Sequence, residues 1–322
     1  MVYVATGGHA FIDRALYLPK SWTAEPDRCR AAGVPDDIKF ATKPTLAREM
    51  ITRALDAGIP ASWVAGDEVY GADSKLRASL QERRIGYVLA VACDHQVTAL
   101  AGKHLARALA RRLPSRAWSR LSAGVGAKGQ RWYDWALIDI TDTEAGGGHG
   151  LLVRRSISSG ELAFYRCYTP TPVPLATLVA VADRRWTIEE SFQAGKGLTG
   201  LDEHQVRRWT SWHRWTILAM FAHAFLAVTA ATERAEIDPT PGLIPLTANE
   251  IRHGRIGRDG WVEALSASLL SVPPGLSLPS GTRDWASRQS GQRHCRQVRP
   301  LRCGDGNYGA GVQWCVLGGR SR

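Results

Sequence analysis

Between Pro44 and Ala92 the apolar residues change period twice, and this alternation restricts the fold more than any other feature of the chain. Leu46, Met50, Ile51, Ala54 and Leu55 follow the 3.6-residue repeat of a helix buried on one side. Pro44 suits the first helical turn and Gly58 stops the helix. Residues 59–65 are a short apolar run without helical period, a second helix places Leu76, Leu80 and Ile85 on one side, and residues 87–92 are again continuously apolar. Strands that read as unbroken apolar runs are buried on both faces, and the helices between them supply the cover. The pattern predicts an α/β sheet packed between helices.

The flanking segments have other textures. Residues 1–5 read as a strand, Gly7 and Gly8 as a turn, and residues 9–17 as a second, loosely alternating strand that ends before Pro19. From 93 to 172 we expect a β-rich insertion: a basic helix near 103–112, a Gly-rich loop over 123–129, and strand-like runs at 132–140, 151–155 and 161–168. Helices return at 175–182 and 184–196, and Ser211 is placed to cap a long apolar helix over 212–234, ended by Pro239 and Pro241. Residues 251–322 hold 11 Arg, no Lys and four acids, with poor periodicity, and read as an irregular basic tail. The expected division is 1–92 (first part of the core), 93–172 (insertion), 173–235 (helical part of the core) and 236–322 (tail).

With 44% apolar and 22% charged residues, the composition excludes a disordered chain, a collagen and a small disulfide scaffold. The six cysteines match no zinc spacing and read as free thiols. The longest apolar stretch, 217–231, is interrupted by His223 and falls short of the roughly 18 residues of a span, so no membrane segment is expected. The N-terminus lacks the basic and apolar regions of a signal peptide, which makes the cytoplasm the default location. The net charge of +11 and a pI near 9.7 favour a polyanionic partner, most simply nucleic acid.

Two places could carry chemistry. On a helix, Arg185, Glu189 and Lys196 fall within roughly 40° of one another, so one face presents a guanidinium, a carboxylate and an ammonium. Read plainly this is a surface ion pair worth a few tenths of a kcal/mol; read as chemistry it is a metal-binding carboxylate between cations that grip phosphates. Asp67 ends a buried strand, where sites of open α/β sheets gather; a turn or helix-capping carboxylate is the plainer role. Together the two carboxylates could share a pair of Mg²⁺ ions for phosphodiester cleavage, with Arg185 and Lys196 holding the strand by its phosphates.

These residues resemble a family. Arg185, Glu189 and Lys196 match the last three positions of the Y-x2-R-x3-E-x6-K signature of bacterial insertion-sequence DDE transposases, and Asp67 in the segment VAGDEVY (64–70) resembles their second Asp. The signature Tyr is Ala182 here. The resemblance runs from about residue 3 to 252. It implies an RNase H-like core whose first strand, with the first Asp, is missing from this chain. It also implies Mg²⁺ or Mn²⁺ at Asp67 and Glu189, and phosphate contacts from Arg185 and Lys196. The implied partners are transposon-end and target DNA without a membrane; the resemblance admits a homodimer and a location on the nucleoid. With one ligand missing, the expected protein is a transposase or fragment that does not cut DNA; a non-catalytic DNA-binding remnant and another two-metal RNase H-like nuclease are the alternatives. Asp13 falls on the wrong strand to replace the missing acid.

Other signals read as structure. Gly124, Gly126, Lys128 and Gly129 lack the spacing of a phosphate loop. Trp209, Trp212 and Trp215, three residues apart, read as packing. His204 reads as a loop residue, and His223 as a hydrogen-bonded, half-buried imidazole.

Overall fold

The computed structural model describes residues 1–99, 102–126, 129–141, 146–236, 248–254 and 314–317. The chain divides into a large unit, Met1–Pro245 with Ala310–Arg322, and a second unit, Leu246–Gly309. The described part of the second unit is one helix, α10 (Ala248–Gly254).

The large unit starts as a hairpin of β1 (Val2–Ala5) and β2 (Gly8–Phe11), followed by two short helices, α1 (Lys20–Thr23) and α2 (Pro26–Ala31). The helix expected at Pro44 is α3 (Lys43–Asp56). The Thr42 hydroxyl caps it by accepting the Thr45 N–H at 3.3 Å, and Pro44 lies in the first turn, where no N–H is needed. Then come β3 (Trp63–Gly66), the one-turn helix α4 (Glu68–Gly71), α5 (Ser74–Glu82) and β4 (Gly86–Val91). A small hairpin, β5 (Gln96–Ala99) and β6 (Gly102–Leu105), leads to α6 (Ala106–Arg111). The basic stretch near 103–112 is thus half strand and half helix. Four long strands follow: β7 (Ser119–Gly126), β8 (Gly129–Asp139), β9 (Gly148–Ser156) and β10 (Leu162–Thr169). Three helices come next: α7 (Leu175–Arg184), α8 (Trp186–Thr199) and α9 (Trp209–Glu236). The last described element is β11 (Trp314–Leu317).

Nine of the strands form one mixed sheet in the order β2-β1-β11-β3-β4-β10-β9-β8-β7. β3 and β4 are parallel, and β10 joins β4 antiparallel, so β7–β10 extend the same sheet as a meander. The Gly-rich stretch after Leu121 is mostly strand: β7 runs to Gly126 and β8 starts at Gly129. Lys128 lies outside the described residues.

Helices cover both faces of the sheet. On one side α3 and α5 bury Ala47, Met50, Ile51, Ala54, Leu76 and Leu80 against Val64, Tyr87 and Leu89. On the other, α7 and α8 bury Leu178, Val179, Val181, Ala182 and Ile188 against Ala65, Val88, Trp135, Leu152 and Tyr165. Neighbouring residues of β3 (Val64, Ala65) and β4 (Val88, Leu89) serve opposite cores, which is why both strands read as unbroken apolar runs. The protein is a mixed α/β structure.

α9 departs from expectation in two ways. It starts at Trp209, before Ser211. Its segment Trp209–Arg234 is long and apolar enough to cross a membrane by length and composition, which corrects the expectation that no such segment exists. His223 interrupts the apolar run without bringing the hydropathy of the segment below that of a span. In the fold α9 packs on β2 and α8.

His223 also corrects the sequence reading. It is buried beside Phe11, with ring centroids 4.9 Å apart, and its Nδ1 has no hydrogen-bond partner among the described residues. Its neighbour His9 meets the Ser191 hydroxyl at 2.7 Å; that hydroxyl gives its single proton to the Thr187 carbonyl, so the His9 Nδ1–H is the donor. Burial, then the nearby His9, pulls the His223 pKa from 6.5 down to about 4. The unfolded imidazole takes up a proton at higher pH than the folded one, so stability is full above pH 6.5 and lost as pH falls toward 4. We expect His223→Leu to flatten that part of the Tm-against-pH curve; an unchanged acid limb would place the loss elsewhere.

Candidate functional site

β3 ends at Gly66, and the chain turns at Asp67 into α4. The Asp67 carboxylate caps this turn by accepting the Val69 N–H at 3.0 Å. The turn is held close to the sheet by Gly71, where a Cβ would stand 1.9 Å from the Ala90 carbonyl oxygen and 2.8 Å from Val91 Cγ1 on β4. A residue with a side chain cannot occupy that space, so Gly71 fixes the height at which Asp67 stands over the strand ends.

Burial raises the Asp67 pKa; the Val69 N–H bond opposes this, as do the charges of Arg185 and Lys43, while Glu68 adds to it. Two cations therefore act on this carboxylate. Of the two, Lys43 is not singled out by any sequence pattern. It opens α3, and its ammonium also lies 5.5 Å from the centre of the Tyr17 ring.

Arg185 joins α7 to α8, with helical backbone angles at the junction. Its guanidinium lies 3.5 Å from the Glu189 carboxylate, and both side chains are about one-third exposed (34% and 35%). Arg185 thus pairs with Glu189, and its charge also favours the ionised form of Asp67. Lys196 turns elsewhere: its ammonium is 3.8 Å from Asp202, with both side chains 55% exposed. A pair so exposed contributes little stability, and it takes Lys196 away from Glu189. Beside Arg185, Asp183 on α7 pairs with Arg131 on β8, so the β7–β8 hairpin is tied to the same helix junction. Burial raises the Asp183 pKa against the opposing charges of Arg131 and Arg184.

Asp13 takes no part. Its carboxylate holds Arg53 at 2.8 Å. His204 lies against Trp215, with ring centroids 4.8 Å apart, and the Trp215 indole donates to the Gly200 carbonyl at 3.0 Å, so this end of α9 is packing as expected. Cys29, Cys93 and Cys167 are free thiols. Among the described residues no group of three or more His, Cys, Asp or Glu side chains is arranged to hold a metal. Two carboxylates, one paired with a guanidinium and the other with a backbone N–H, fall short of the donor set of a two-metal centre.

Asp67 carries its charge at a cost. Its folded pKa lies above the unfolded one, so its ionisation destabilises the fold as pH rises through the raised value. Asparagine keeps an oxygen for the Val69 N–H and has no charge to desolvate. We expect Asp67→Asn to raise Tm by about 2 °C at neutral pH, with the gain vanishing in acid; a lower Tm at pH 7 would contradict the burial argument.

Residues 2–132 match the family model described as DDE superfamily endonuclease. The matched segment includes Asp67 and ends before Glu189. None of the curated proteins matches the chain.

Proposed function

We propose that this chain is a DNA-binding protein built on the framework of an RNase H-like insertion-sequence transposase, and that its Asp67–Glu189 site does not sustain metal-dependent cleavage. The reading is supported by Arg185, whose guanidinium lies 3.5 Å from Glu189 and whose charge favours the ionised Asp67 against burial, and by the endonuclease-family match over residues 2–132, which includes Asp67. In an active centre of this kind the carboxylates would hold Mg²⁺ or Mn²⁺; here Glu189 is engaged by the Arg185 guanidinium and Asp67 by the Val69 N–H, and no group of three or more His, Cys, Asp or Glu side chains suited to a metal occurs among the described residues. What the site offers instead is phosphate binding. Arg185 and the neighbouring Arg184 suit DNA oxygens, and the more exposed Lys196 lies about three turns further along α8. The net charge of +11 favours the same partner. α9 packs on β2 and α8 while Ile217, Leu218, Phe221 and Val228 on it stay exposed, and we read it as a helix of the folded unit and not as a membrane span.

The test is a titration of labelled duplex DNA at several salt concentrations, beside a plasmid-nicking assay with Mg²⁺ or Mn²⁺. We expect affinity to fall steeply with salt, and the joint change of Arg185 and Lys196 to alanine to reduce the slope by about 0.9 per lost phosphate contact. The plasmid should remain supercoiled. Binding insensitive to salt would sink the DNA reading. Robust nicking that disappears in Asp67→Ala would sink the non-catalytic one.

A further inference from the structure

The third strand of the sheet, counted from β2, comes from a distant part of the sequence. β11 lies between β1 and β3: Val2, Tyr3 and Val4 are in parallel register with Cys315, Val316 and Leu317, while Trp63, Val64, Ala65 and Gly66 run antiparallel against Leu317, Val316, Cys315 and Trp314. No other strand among the described residues bridges β1 and β3. Two strands flanking a third stand roughly 10 Å apart, so the gap takes one extended chain and nothing wider. If it is empty, the inner edges of β1 and β3 lose their backbone partners within the covered part of the sheet, since α8 packs over β1 and β11. Residues 310–322 are counted with the large unit although Leu246–Gly309 precede them in a unit of their own.

We propose that the gap between β1 and β3 is a strand-acceptor site, and that its ligand is the extended, uncharged segment Trp-Cys-Val-Leu at 314–317, held in place by backbone pairing on both sides and exchangeable for the same segment supplied from outside. Recognition is strand addition: the ladders give affinity, and the demand for a parallel neighbour on one side and an antiparallel one on the other fixes the direction of entry. The strand also borders the candidate site, because its first residue is the register partner of Gly66, immediately before Asp67. This proposal stands apart from DNA binding, and its test has no DNA in it.

The natural thiol of Cys315 provides the probe. Its register partner on β3 is Ala65, and directly opposed Cα atoms in an antiparallel pair are about 4.5–5.5 Å apart, within reach of a disulfide. In full-length Ala65→Cys protein, mild oxidation should link position 65 to Cys315, as read by peptide mapping. A free peptide of residues 310–322 should then be captured at position 65 in a dose-dependent way, at the expense of the internal link; a scrambled peptide that keeps its Cys should not. A link between two copies at the same positions would also support the site, with a second copy supplying the strand. Three results would overturn it: no link to Cys315, a link that no peptide concentration reduces, or equal capture of the scrambled peptide. Should Ala65→Cys fail to fold, the register pair Trp63→Cys with Leu317→Cys replaces it. Independently, Val316→Pro weakens the tethered strand by removing a backbone donor. Labelled 310–322 peptide should bind this variant at least tenfold tighter than the parent, and equal binding would also count against the site.

Discussion

Replacing Gly71 by alanine lowers Tm by about 4–6 °C, the equivalent of roughly 3 kcal/mol in a protein of this size. The cause is space and not backbone conformation. The added Cβ would lie 1.9 Å from the Ala90 carbonyl oxygen, and that oxygen belongs to the backbone of β4 and cannot rotate away as a side chain would. Either α4 lifts from the sheet or β4 gives way, and both displace the turn at Asp67. Gly58 provides the contrast. Its φ of 78° is strained for any other residue, but nothing lies within 4 Å of the place a Cβ would take. Gly58→Ala should cost only about 1 kcal/mol. Thermal melts of the two variants separate the explanations: equal losses would mean that the close approach of α4 to β4 is not what Gly71 secures.

Trp135→Ala should be at least as severe, at about 3–5 kcal/mol. Trp135 is 1% exposed, on β8, with its ring edge-on to Tyr133 and tilted against Tyr165, both at 6.2 Å between centroids. It belongs to the core that α7 and α8 share with the sheet, so the cavity opens beneath the helices that present Arg185. The indole N–H has no hydrogen-bond partner among the described residues. Trp135→Phe therefore loses volume but no polar contact, and should retain most of the stability. A phenylalanine variant as unstable as the alanine variant would show that the indole N–H has a structural role.

What the sequence makes legible is what short-range pattern controls. The limits of α3 follow from Thr42, Pro44 and Gly58, and the buried character of β3 and β4 from their unbroken apolar runs. β7 is not legible: Ser119–Gly126 is rich in small residues and glycine, and it is a strand because β8 pairs along it. β11 is hidden more deeply, since four residues in an Arg- and Gly-rich tail owe their strand conformation to two edges more than 240 positions away. At the site, the i, i+4 spacing announces the Arg185–Glu189 pair. The same helical arithmetic places Lys196 on their face, yet its long side chain reaches Asp202 in the following turn. Lys43 is 24 residues from Asp67 and joins it only through tertiary packing, which no local spacing reports.

The position of β11 also sets a timetable for synthesis. β1 and β3 are synthesised well before the strand that separates them, whose last residue, Leu317, follows Gly66 by 251 positions. At the usual pace of translation that interval lasts roughly 10–50 s. Throughout it, the nascent sheet carries two open edges facing one gap, and any extended segment with a suitable backbone can compete for it. Pairing of β11 therefore competes, during synthesis, with every other extended segment that can reach the gap.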